Sequence, residues 1–276
     1  MRKLTIVSVA FPFAAVNPAG FEALRLSVYG AMRLFGNEAD YRVYVNTITV
    51  AEARRRTGAV PDNVEWSVTE CRIPDVLRPS ITEGMAEGVA WKLMPLRAFP
   101  GRFELSLDND VILWGIPPAI ERWLTSDDPA AGLIAADVCL AHGKFASLCG
   151  TEPCNSGIRG LGPDLDFEAA IERVLLINPV PLDSELDEQG LQVAALSLNG
   201  ARFVVDADDV TICSPFYPHR PELGRFGAHF VGLNSRVLPW LYYDRPATEV
   251  RLAHSMGHRT DLYGRVGLCA DAADVK

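Results

Sequence analysis

The chain has 276 residues, 49% hydrophobic and 22% charged, an ordinary globular composition with ample apolar material for a core. Its formal net charge of −9 argues against a nucleic-acid binder, because phosphate backbones need a basic patch and the one basic run, Arg54-Arg55-Arg56, reads as the solvated end of a helix. Anionic nucleotides stay open to an acidic protein that binds them through a metal and local helix termini.

Leu4 to Ala10 reads as a first buried strand. Asn17-Pro18 then supplies a helix cap and a first-turn proline, and Phe21, Leu24, Val28, Met32 and Phe35 fall on one helical face before Gly36-Asn37 stops the helix. Tyr41 to Val45 returns as a strand, Thr49 and Glu52 form a capping box for a short helix, and Val64 to Val68 is a third strand. Ser80 and Glu83 start a helix predicted to run through Met85 and Trp91 to Leu96 despite Gly84 and Gly88. Phe103, Leu105 and Leu107 alternate with Glu104 and Ser106 at the period of a strand. Beyond it, Pro117 to Leu124 is a predicted helix, Leu133 to Val138 a strand, and Phe167 to Leu176 an amphipathic helix capped by Asp164 or Asp166. Strand alternating with helix in this way predicts an α/β fold with a mostly parallel central sheet flanked by helices, whose ligands bind beyond the carboxyl ends of the strands.

The six cysteines form no CxxC pair, nothing at the amino terminus resembles a secretory signal, and no apolar run is long enough to span a bilayer. The expectation is a soluble, cytoplasmic protein with reduced thiols. Cys149 and Cys154 are near enough in sequence to raise a disulfide or metal pair, with no second pair to complete a zinc site.

The strand from Phe103 ends in Asp108-Asn109-Asp110, after which the apolar run resumes at Val111-Ile112-Leu113. Two carboxylates so placed repel each other and lose hydration, a cost relieved by a divalent cation with oxygen ligands such as Mg²⁺ or Mn²⁺. A metal at a strand's carboxyl end suits a diphosphate. The same tripeptide is equally an ordinary turn.

Three further segments follow in order: Asn155-Ser156-Gly157 before Ile158, Asp187-Glu188-Gln189, and His229-Phe230-Val231-Gly232. Together with the acidic pair they resemble the GT-A fold glycosyltransferases (nucleotide-diphospho-sugar transferases), most nearly the retaining glycogenin and lipopolysaccharide galactosyltransferase-like family. The resemblance spans Leu4 to Trp240 in layout and is sharp at those four places. It implies a single GT-A domain over residues 1–276, with a nucleotide-binding half of about 1–114 and an acceptor half of about 115–276. It further implies Mn²⁺ or Mg²⁺ held by Asp108, Asp110 and His229, with Asn109 between the aspartates. Asn155, Ser156 and Gly157 lie by the donor sugar, and Gln189 at the start of a helix beneath the active site. One of Asp187 and Glu188 lies near the anomeric carbon, Lys92 faces the nucleotide, and Ala10, Phe11 and Pro12 line the base. The family follows His-x-x-Gly, here closed by Gly232, with Lys-Pro-Trp. In this chain Pro239-Trp240 comes later and Leu238 replaces the lysine, so the cation to the diphosphate falls to Arg236 or Arg225.

Each of these residues also has a plainer reading. His229 is a hydrogen-bonded core histidine, Lys92 a solvated helix lysine, and Ala10 to Pro12 simple core. Asn155 caps a turn, and Asp187-Glu188 is an acidic first helical turn favoured by the helix dipole. His142, His219, His254 and His258 have no match and read as structural or surface histidines, and Cys154 as a buried thiol. The combined reading is a metal-dependent glycosyltransferase moving a sugar from a nucleoside diphosphate sugar, first of all a UDP-sugar, to the hydroxyl of a glycan or small-molecule acceptor with retention. Asn155, Ser156, Asp187 and Glu188 are its candidate catalytic residues. Two alternatives stand beside it. A nucleotidyltransferase usually carries a Gly-rich amino-terminal loop, whereas Phe11 to Gly20 has only Gly20, and a noncatalytic nucleotide- or sugar-binding module needs the pocket but no metal.

Overall fold

The computed structural model describes residues 4–9, 16–69, 73–81, 91–233 and 237–269. Strand β1 (Leu4–Val9) leads to helix α1 (Pro18–Phe35), whose first turn is capped by Asn17 Oδ1 accepting from the Gly20 amide at 2.9 Å, with Pro18 in the position where a missing N–H costs nothing. After β2 (Ala39–Val45), Thr49 Oγ1 accepts from the Glu52 amide at 3.2 Å and starts α2 (Val50–Thr57), which ends in the three arginines. Two of them, Arg55 and Arg56, pair with Glu52 on the solvated face, as the sequence suggested. Then come β3 (Val64–Val68), β4 (Phe103–Asp108), β5 (Val111–Leu113), α3 (Pro118–Leu124), β6 (Gly132–Ala136), β7 (Cys154–Leu161) and α4 (Phe167–Ile177), capped by Asp166. The chain continues through α5 (Glu185–Leu198), β8 (Arg202–Val205), β9 (Val210–Ile212) and β10 (Gly227–His229). The hairpin β11 (Leu241–Tyr242) and β12 (Arg245–Pro246) precedes α6 (Ala247–Gly257) and α7 (Arg259–Val266).

Seven strands form the central sheet in the order β3-β2-β1-β4-β7-β6-β8, parallel except for β7, which runs against both neighbours. The mostly parallel α/β sheet predicted above is therefore the observed one. The reversed strand matters for position: because β7 is antiparallel, its first residues lie beside the carboxyl ends of β4 and β6, where ligands collect in such folds. A second sheet of three strands, β5-β10-β9, leaves the first at the turn between Asp108 and Val111. Trp123 of α3 meets Phe103 edge-on, with ring centroids 4.9 Å apart, and its indole nitrogen donates to Ala131 O at 3.0 Å, so this large side chain is buried without an unpaired donor.

The helix predicted from Ser80 to Leu96 is not continuous. Residues 82–90 lie outside the described set, Trp91–Leu93 is a single 3₁₀ turn, and Met94 to Leu96 is not helical. Pro95 has no amide hydrogen to give and disfavours the helical conformation at Met94, which is reason enough for the stop. The strand predicted over Leu133 to Val138 ends at Ala136, and Asn155, whose plainer reading was a turn cap, sits inside β7. Cys149 and Cys154 are buried free thiols, not a bridge, and Cys149 Sγ donates to Phe145 O and Gly190 O. No helix among the described residues is long and apolar enough to cross a membrane.

Candidate active site

Asp108 closes β4, Asp110 follows in the turn, and His229 closes β10 in register with Val111. His229 Nε2 lies 3.3 Å from Asp110 Oδ1 and 3.7 Å from Asp108 Oδ2, and one ligand atom from each of the three falls within 4.8 Å of the others. Burial pushes the His229 imidazole down, but its hydrogen bond to Asp110 and the charges of both aspartates outweigh this and raise its pKa. Gly157 makes the arrangement possible. A Cβ at that position would sit 2.3 Å from His229 Cε1, so any side chain there displaces the ring.

These residues face a cleft of about 320 Å³. Asp108, Asp110, Asp137, Glu185 and Glu188 line it, and Lys92 is its only lysine or arginine among the described residues. Lys92 Nζ donates to Asp108 Oδ2 at 2.6 Å and lies 3.4 Å from Ser156 Oγ. Burial lowers the pKa of Lys92, while Asp108 and Glu188 raise it further than burial lowers it, so the ammonium stays charged. One lysine against Asp108, Asp110, Asp137 and Glu185, with Glu188 partly protonated near neutral pH, leaves the cleft negative. Two carboxylates and an imidazole converging in that field fit a divalent ion of the Mn²⁺ or Mg²⁺ type.

Asn155 and Ser156 arrive through an irregularity in β7. Its pairing with β6 jumps from Ile134↔Arg159 to Ala135↔Asn155, so Ser156 to Ile158 drop out of that ladder, and Asn155 and Ser156 line the cleft while Ile158 packs in the core. Asn155 Nδ2 donates to Ala136 O at 3.0 Å and its Oδ1 accepts from the Gly157 amide at 2.9 Å, locking the bulge. The Ser156 amide donates to Gln189 Oε1 at 3.3 Å, and Gln189 Nε2 donates to Ala141 O at 2.8 Å, so this amide side chain is held at both ends.

Helix α5 separates the two adjacent acids. Ser184 caps it, accepting from the Asp187 amide at 3.2 Å. The Asp187 carboxylate is turned away from the cleft, accepting from the Lys144 amide at 2.8 Å and the Asp183 amide at 2.9 Å. Burial raises its pKa, and these amides outweigh that and hold it below the usual range. Asp187 thus pins the segment before the helix and does not face the cleft. Glu188, one residue and about 100° further round, does. Its carboxylate accepts from Gln192 Nε2, and Gln192 Oε1 accepts from the buried Arg159 at 2.7 Å.

Burial pushes Glu188 up to about 7. Its folded pKa is above its unfolded one, so the folded state holds the proton more tightly and stability is lost as pH rises from about 4.5 to about 7. We expect metal-free protein to lose roughly 3 kcal/mol from this group between about pH 5 and about pH 8, and Glu188→Gln to lack that component. Urea unfolding of both proteins at the two pH values measures it. Equal slopes would mean a solvated Glu188.

The structure brings Lys92, Asp108, Asn109, Asp110, Asn155, Ser156, Glu188, Gln189, His229 and Gly232 to one cleft, with Gly157 behind His229. It does not bring Asp187 or Arg225 there. Arg225 pairs with Asp209 at 2.7 Å away from the cleft. Ala10, Phe11, Pro12 and Arg236 lie outside the described residues. Among the acids and histidines of the cleft, Asp137, Glu185 and His219 escaped the sequence reading. Asp137 follows β6 and lines the cleft, with its Oδ1 accepting from the amides of Val138 and Cys139, and His219 stands 3.8 Å from it. The signal for Asp137 was the one that marked Asp108, an acid where an apolar strand runs out. For His219, 82 positions further on, the sequence carried none.

No family model and no curated protein matches the chain. Solved structures do. The galactosyltransferase LgtC, in complex with donor and acceptor sugar analogs, superposes with a TM-score of 0.54 at 13% identity, over 92% of this chain and 95% of that one, and an active-site mutant of LgtC gives the same figures. The apo form of mouse xyloside xylosyltransferase 1 gives a TM-score of 0.50 at 12% identity, over 76% of this chain and 87% of that one. At such identities the likeness speaks for the fold, and on that count the resemblance noted in the sequence holds: the chain has the GT-A architecture of these glycosyltransferases.

Proposed function

We propose that this chain is a metal-dependent glycosyltransferase that moves a sugar from a UDP-sugar to the hydroxyl of a glycan or small-molecule acceptor, with retention of anomeric configuration. The observation that carries the reading is the convergence of Asp108, Asp110 and His229 at a negative cleft that also holds Asn155, Ser156, Glu188 and Gln189. Residues 1–114 then serve the nucleotide and residues 115–276 the acceptor. A divalent ion on the three ligands would supply Lewis-acid stabilisation of the departing diphosphate and a template for its orientation. Among the described residues, where Arg225 is engaged elsewhere and Arg236 is not included, Lys92 is the cation we assign to the diphosphate. Gln189, held at both ends, and Ser156, on the locked bulge, position sugar hydroxyls, and Glu188 stabilises the oxocarbenium-like centre. In a retaining reaction the leaving phosphate takes the acceptor proton on the same face of the sugar, so no opposed carboxylate base is required. Free thiols suit a reducing, cytoplasmic setting.

The test is release of nucleoside diphosphate from UDP-, GDP- and TDP-sugars by purified protein with Mn²⁺, with and without EDTA. We expect slow hydrolysis of a UDP-sugar alone, lost in chelator, and an α-configured first product by NMR from an α-linked donor. Full activity in EDTA would remove the metal from the proposal, and a β-product would remove retention. Pyrophosphate release from a nucleoside triphosphate and a sugar phosphate would establish a nucleotidyltransferase. Donor binding without turnover would leave a binding module.

A further inference from the structure

On the far side of β10 from the cleft, a second group of ligands converges. Cys213 follows β9, is buried, and donates its main-chain N–H to His229 O at 2.9 Å. His254 lies on α6 and His258 caps that helix, a spacing of four residues that puts both rings on one face. Cys213 Sγ is 3.4 Å from His254 Nε2, the two imidazoles meet with centroids 4.8 Å apart at 84°, and one ligand atom from each of the three residues lies within 4.8 Å of the others. With Zn–S near 2.3 Å and Zn–N near 2.0–2.1 Å, sulfur and nitrogen on a tetrahedral zinc stand about 3.5 Å apart, close to the separation already present. His258 Nε2 lies 3.0 Å from Pro221 O. Donation to that carbonyl leaves Nδ1 as the lone-pair nitrogen, the outer hydrogen bond by which metal-binding histidines are commonly oriented.

We propose that Cys213, His254 and His258 form a structural zinc site that fastens α6 to the small sheet carrying His229. One thiolate and two imidazoles select Zn²⁺ over the hard ions suited to Asp108 and Asp110, so the two sites take different metals. The fourth position goes to water or to Glu222, whose charge acts on both Cys213 and His254. Binding displaces the thiol proton to solvent and forms the Zn–S bond without redox change.

The experiment is metal analysis of the full chain, followed by replacement with Co²⁺. We expect one equivalent of zinc per chain, and in the cobalt protein a thiolate-to-metal charge-transfer band with the intense visible absorption of a tetrahedral ion. Both should be lost in Cys213→Ser and His254→Ala, and retained in Asp110→Asn and in Cys139→Ser, the latter testing a cysteine that stands near Asp137 and His219. A folded wild-type protein that binds Co²⁺ with no thiolate band overturns the site, as does a band that survives Cys213→Ser or vanishes with Cys139→Ser. Should Cys213→Ser fail to fold, His258→Gln, checked by circular dichroism, is expected to lose the tetrahedral spectrum, and its persistence would also overturn the proposal.

Discussion

Asp110→Asn is expected to lower kcat/KM by about 10³-fold, roughly 4 kcal/mol of transition-state stabilisation, while leaving the far-ultraviolet circular dichroism spectrum unchanged. Asp110 is nearly fully buried, 3.3 Å from His229, and the better placed of the two carboxylates to share an ion with that imidazole. Its replacement exchanges a charged carboxylate ligand for a neutral amide, and the ion's affinity falls with that lost charge. Folding should not suffer, because the loss of one of two neighbouring negative charges relieves repulsion in a cleft with a single lysine. Steady-state kinetics over a Mn²⁺ titration measures the effect. Wild-type activity at saturating Mn²⁺ would limit Asp110 to a turn residue.

Gly157→Ala is the second large effect, and it is indirect. The new methyl would lie 2.3 Å from His229 Cε1 and 2.6 Å from Nδ1, and the ring end is what can yield, since the Gly157 amide is tied to Asn155 Oδ1 at 2.9 Å. Rotation of the ring takes Nε2 away from Asp110 and Asp108. The variant should fold and lose about 10- to 100-fold in Mn²⁺-supported UDP affinity, the scale on which supporting residues act at metal sites. Calorimetric titration with and without Mn²⁺ separates this from general damage, because binding in metal-free buffer should change little. His229→Ala should show the same defect, and the double variant should add little to it, as expected when two changes remove one interaction. Equal losses with and without metal would return His229 to the core.

What could be read in advance was local. The caps at Asn17 and Thr49, the amphipathic faces of the first helix and of that after Asp166, and the strand ending at Asp108 are each specified within a turn or two of chain. β7 was not recognised as a strand because every residue in it is buried, so it shows no alternation, and glycines interrupt its apolar residues. Choosing between Asp187 and Glu188 requires the phase of the helix, which Ser184 sets through its cap. Glu188 and Gln192 stand one helical turn apart, but Arg159, to which Gln192 connects, lies 33 positions away and no periodicity announces it. The same holds for Cys213 and the two histidines on α6, unremarkable apart and adjacent only when folded.

The turn from Asp108 to Asp110 is also where one sheet gives way to another. Asp108 belongs to the seven-stranded sheet and His229 to the three-stranded one, and among the described residues no strand is shared between them. Under the proposed function, an ion on the three ligands would join the two sheets as well as hold a diphosphate. Its affinity and the stiffness of that join are linked by reciprocity: whatever steadies the join tightens the ion, and the ion returns the same free energy to the join. Letting go of the spent nucleotide with its ion and giving up that join would then be one thermodynamic event.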